Sequence, residues 1–105
     1  MNMNLASGSI LVKRTSRDVR IAIRGAFTHS LRREFRESYY TCPANTHYVL
    51  DFSEVSAIDS GGIGMLLILR KHAGDAAANI SLVNVPLRVS NILKLSKLDE
   101  LFDFV

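Results

Sequence analysis

Hydrophobic and polar residues change period several times along this chain, and each change marks an element. Ser9–Arg14 (SILVKR) and Val19–Arg24 (VRIAIR) are β-branched runs separated by Thr15-Ser16-Arg17-Asp18. In the second run Val19, Ile21 and Ile23 alternate with Arg20, Ala22 and Arg24. A two-residue period sends alternate side chains to opposite faces, so the pair reads as an antiparallel hairpin with one face on a core, ended by Gly25. From Thr28 the period lengthens. Leu31, Phe35 and Tyr39 recur every four residues while Arg32, Arg33, Arg36 and Glu37 fall on other faces. This predicts an amphipathic helix, with Thr28 or Ser30 supplying the N-cap oxygen. It stops at Cys42-Pro43, because a residue before proline is pushed out of the helical region.

Tyr48–Phe52 is a short apolar strand after a helix, the pattern of a β-α-β crossover. Ser53–Asp59 reads as an irregular link carrying Val55 and Ile58. A second helix is expected from Ser60 to Ala73, with Ile63, Leu66, Leu67 and Arg70 at helical spacing and Gly74-Asp75 closing it. Ile80–Val83 is a further strand. Pro86 suits the start of a third helix over Leu87–Leu95. A helical turn at Leu98–Leu101 and an edge strand over Phe102–Val105 complete the chain. The expected fold is α/β: one domain over residues 1–105, a mixed four- to five-stranded sheet with an N-terminal hairpin, and three to four helices packed against it.

Composition narrows the function more than the fold. With 105 residues, 48% of them hydrophobic, the chain builds one core and not two. A single cysteine, Cys42, excludes an internal disulfide and a cysteine-rich zinc site. His29, His47 and His72 lack metal-ligand spacing, so no metal and no cofactor is expected. No apolar run approaches the roughly 18 residues of a membrane span, and Met1-Asn2-Met3-Asn4 begins no secretory signal. These features predict a soluble cytoplasmic domain. Eight of the 13 lysines and arginines lie in the first forty residues. They alternate with apolar residues instead of forming a block, and the net charge is only +3, so they read as a solvated surface and not as a nucleic-acid groove.

Candidate chemistry concentrates in Ile58-Asp59-Ser60-Gly61-Gly62-Ile63-Gly64. Each glycine is about 1 kcal/mol worse than alanine inside a helix. A tight turn or close packing on the sheet explains one or two, and three beside a serine imply a surface where another molecule approaches the backbone. Known phosphate loops do not fit. No lysine follows Gly64 before Lys71, as a Walker loop needs, and the glycine spacing is not that of a dinucleotide loop. A nucleophile elbow requires glycine where Ile58 stands, which leaves a serine hydrolase needing a histidine brought to Ser60 by the fold.

The stretch Val49-Leu50-Asp51-Phe52-Ser53-Glu54-Val55-Ser56-Ala57-Ile58-Asp59-Ser60-Gly61-Gly62-Ile63-Gly64-Met65-Leu66-Leu67 resembles the core signature of STAS domains, and most of all the bacterial anti-sigma factor antagonists. The resemblance extends over nearly the whole chain, from the opening hairpin and Gly25 to Val85-Pro86 and Leu98-Asp99-Glu100-Leu101-Phe102. It implies a non-catalytic protein that binds an anti-sigma factor, itself a serine kinase, while unphosphorylated. Phosphorylation by that kinase breaks the complex, and a PP2C-type phosphatase restores it. Carried onto this chain, the phosphoacceptor is Ser60. The partner-binding surface comprises Asp59, Gly61, Gly62, Ile63 and Gly64, with the loop Ala26, Phe27 and Thr28 after the second strand. Gly61 stands where many members carry a second serine, threonine or alanine. The same resemblance admits an alternative, a STAS subunit of a membrane lipid-transport or signalling complex that serves as an assembly piece. A monomer is expected, with weak self-association left open.

Overall fold

The computed structural model describes residues 8–105; the N-terminal Met1–Asn4 segment considered above lies outside them. Five strands form one sheet in the order β1-β2-β3-β4-β5. Strands β1 (Ser9–Arg14) and β2 (Asp18–Phe27) are the antiparallel hairpin. Strands β3 (His47–Ile58), β4 (Asn79–Val83) and β5 (Asp103–Phe104) then follow in parallel. Between them run α1 (Arg32–Glu37), α2 (Ser60–His72) and α3 (Leu87–Leu95). Every parallel step moves the same way across the sheet, and crossovers share one hand, so all three helices fall on one face. That face carries Val19, Ile21, Ile23, Tyr48, Leu50, Phe52, Ile80 and Leu82. With Phe35, Leu66, Leu69, Val89 and Leu93 from the helices they make one core. Phe27 meets Phe35 and Phe52 edge-on at 5.0 and 6.0 Å between ring centroids.

Three local expectations are corrected. Gly25 does not end β2; at φ +78 it takes a left-handed conformation beside a register shift, and the strand continues to Phe27. Ser53–Ile58 is not a link but the second half of β3. Opposite β2 the register slips between Ala22 and Arg24 and again between Gly25 and Ala26, each time with an extra residue on β3. The inward positions there are Phe52, Val55 and Ile58, three apart, so the period-two signature of a strand is lost. The first helix is also shorter than its pattern. His29–Leu31 forms a 3-10 turn before the six α-helical residues, and no side chain caps either segment. Thr28 Oγ1 and Ser30 Oγ instead hydrogen-bond each other at 2.9 Å. The closing 3-10 turn is Leu98–Glu100, and the edge strand holds only Asp103 and Phe104. A further short 3-10 turn, Asp75–Ala77, follows Gly74 at φ +113 where the periodicity signals no element.

Candidate functional site

Parallel pairing of β2 with β3 sets Phe27 beside Ile58 at the same end of the sheet. The chain leaves both strands there: β2 into Thr28 and the 3-10 turn, β3 into Asp59 and α2. Asp59 has extended backbone (φ −121, ψ −174), and its Oδ1 accepts a hydrogen bond from the Gly62 amide at 2.9 Å. It is therefore the N-cap. A short side chain with an acceptor oxygen at this position satisfies an amide that the helix cannot, and a carboxylate also suits the positive end of the helix dipole. Ser60, first residue of the helix, is left exposed, and its hydroxyl has no hydrogen bond among the described residues.

The glycines separate by cause. A Cβ on Gly62 would overlap the Phe27 carbonyl oxygen and come within 2.8 Å of Ile58 Cγ1. On Gly61 it would stand 3.1 Å from both Cβ and N of His29. Gly62 is thus demanded by packing of α2 on the β2 end, while a side chain at Gly61 would be tight against the turn that follows and need a small shift of it. On Gly64 it would meet nothing within 4 Å. Only this glycine matches the expectation of a backbone kept bare toward an outside molecule.

The other expected partner-facing residues divide the same way. Asp59 is exposed; Ala26, Thr28, Gly61, Ile63 and Gly64 are half-buried. Phe27 and Gly62 are buried, so neither offers a side-chain contact: Phe27 is wholly in the core, and its carbonyl lies where a side chain on Gly62 would be. His29, exposed and set against Gly61, is placed at this helix start by the β2–β3 register, which nothing local in the sequence signals. Among the described residues its ring makes no hydrogen bond to Ser60, as a general base would. From His29 an open groove of about 540 Å³ runs along α1 between Arg32, Arg33 and Arg36, with Glu34 and Glu37 on its wall.

The family model described as "Mlab, STAS domain" matches residues 10–103. The chain belongs to the STAS family. A STAS-domain containing protein of Pseudomonas aeruginosa is 37% identical to this STAS domain over 86 residues, 81% of the chain and 85% of its own length. Among solved structures, the anti-sigma factor antagonist SpoIIAA in its unphosphorylated form superposes with a TM-score of 0.77 at 20% identity, covering 92% of this chain and 88% of that one. The Bacillus cell fate determinant SpoIIAA in the phosphorylated form gives 0.71 at 20% identity, covering 92% and 91%. At such identity the likeness is one of fold: a small α/β domain with a mixed five-stranded sheet.

Away from Ser60, polar pairs cross the sheet face of this STAS domain that bears no helix. Arg20 meets Asp51 and Arg24 meets Glu54, each at 3.4 Å. The Asp51 carboxyl is held below the usual carboxylate range, chiefly by the Ser53 amide at 2.9 Å, against partial burial and with help from Asn84 and Arg20. At the opposite end of the strands from Ser60, the His47 ring lies 3.1 Å from Asp18 and 3.4 Å from Ser81. This links three adjacent strands, β2, β3 and β4. Among the described residues no group of His, Cys, Asp and Glu is placed to hold a metal ion, and no helix is long and apolar enough to cross a membrane.

Proposed function

We propose that this STAS domain is an anti-sigma factor antagonist whose switch is Ser60: unphosphorylated, it docks on an anti-sigma factor kinase; phosphorylated, it is released. The observation that carries the reading is the exposed, unbonded Ser60 hydroxyl on the first residue of a helix whose cap is supplied by another residue, Asp59. Phosphorylation of Ser60 therefore removes no bond on which the fold depends. A phosphate adds about −1.5 to −2 charge and three acceptor oxygens. On the free domain it sits at the helix end whose dipole favours an anion by about 0.3–1 kcal/mol. In a docked complex the same group is crowded, stripped of water and set beside the Asp59 carboxylate, so docking is lost while the fold remains. A PP2C-type phosphatase resets the switch. The domain itself contributes a surface and no reaction.

The test is capture of the partner kinase by tagged wild type, Ser60→Ala and Ser60→Asp, with intact-mass and site mapping of the protein from its native cells. Ser60→Ala should hold the kinase constitutively and Ser60→Asp should release it. Equal affinity of the two variants removes Ser60 from the mechanism. The same fold also serves a second reading, a STAS subunit of a membrane lipid-transport or signalling complex that acts as an assembly piece without phosphorylation. Recovery of a transporter ATPase in place of a kinase, equally by all three forms, selects it.

A further inference from the structure

Helix α2 buries Gly62, Met65, Leu66 and Leu69, yet its outer side is not polar. Ser60, Gly64, Leu67, Ile68 and Lys71 recur at helical spacing and form one outward stripe. Leu67 is 40% exposed and Ile68 59%, two large apolar side chains left uncovered by the described residues. One turn before Ile68 lies Gly64, with empty space where a side chain would be. At one end of the stripe stands exposed Asp59; at the other stands exposed Lys71, which has no acid partner among the described residues, whereas its neighbour Arg70 is drawn to Asp75 at 3.9 Å.

This arrangement complements itself. Turned end for end about an axis level with Leu66, a second α2 places its Ile68 opposite Gly64, its Gly64 opposite Ile68, and its Lys71 toward Asp59 and Ser60. We infer that α2 is the dimerisation surface of this domain, its occupant a second copy of the chain packed antiparallel along the stripe from Ser60 to Lys71. Each contact is made twice, as a two-fold interface requires. A glycine facing an isoleucine lets the two backbones approach closely, and opposed helix directions set each dipole's positive end against the other's negative end. One helix pair covers less than the roughly 1,200 Å² of a stable interface, so the association is weak and depends on concentration. The pairing stands without the antagonist reading. If that reading holds, the dimer covers the face of Ser60 and so excludes the kinase.

Sedimentation equilibrium of the purified full chain, up to millimolar concentration, tests the pairing. Wild type should show a monomer–dimer equilibrium. Ile68→Glu, which replaces the apolar side chain at the centre of the pairing by a charge that must be desolvated in the dimer and not in the monomer, should weaken it by about tenfold or more. Gly64→Val, which fills the receiving space from a Cβ position that is open in its own chain, should do the same, with circular dichroism verifying the fold of both. For direction, Gly64→Cys and Ile68→Cys are made in a Cys42→Ser background. Oxidation of the mixture should give mixed disulfide dimers faster than either variant crosslinks alone. Three results overturn the inference: a wild type that stays monomeric, a dimer indifferent to Ile68→Glu, or an Ile68→Cys variant that crosslinks with itself faster than with Gly64→Cys. None of them bears on kinase capture.

Discussion

Gly62 and Gly64 lie two residues apart in one helix and answer to different neighbours. Gly62→Ala must displace the Phe27 carbonyl, a backbone atom fixed in the sheet, and should cost about 1–3 kcal/mol in urea unfolding. Gly64→Ala meets open space and removes a glycine from a helix, so the same measurement should show a gain of about 0.5–1 kcal/mol. Asp59→Ala loses the oxygen that accepts the Gly62 amide, at a cost of about 1 kcal/mol. The run of glycines is visible in the sequence, and the structure gives two of them neighbours inside the domain, where the sequence pointed to another molecule. Which of them faces inward is not visible there, because the nearest atoms they meet belong to Phe27 and His29, more than thirty residues earlier, with Ile58 and Asp59 adding local contacts.

Among the elements, β3 shows how a strand can hide. Its first half alternates and is legible as a strand; its second half, where the pairing with β2 slips twice, buries every third residue and imitates a link. The helices α2 and α3 are legible nearly to the residue, because a long apolar period and a closing glycine or opening proline are local signals. Asp51 lies just before the first slip, accepts the Ser53 amide within β3 and ties the strand to Asn84 and Arg20. Its pKa is lower folded than unfolded, so the stabilisation is present above the unfolded value and is lost as pH falls through the folded one. On acidification Asp51→Asn should therefore lose less stability than wild type, with the two curves converging in acid. Parallel descent of both curves would show that this carboxylate contributes nothing.

For the molecule as a whole, the proposed switch residue and the folding core are separated in space. Ser60 stands outside the core that Tyr48, Leu50, Phe52, Leu66 and Leu69 build beneath it. Ser60→Asp should accordingly leave thermal stability within about 1 kcal/mol of wild type, measured by calorimetry, while it abolishes kinase capture. A large fall in stability would mean that release reflects unfolding, and the switch would lose its physical basis.

Local periodicity and punctuation were enough for the α/β class, the hairpin, the helix that begins at Ser60 and the motif around it, because each depends on residues only a few positions apart. Sheet order, the two register slips, the burial of Phe27 and the placing of His29 against Gly61 depend on pairing between β2 and β3. So does the distinction between a glycine that receives the fold and one that faces away from it. Those facts are set by which distant backbones come into contact, and no pattern within either segment records them.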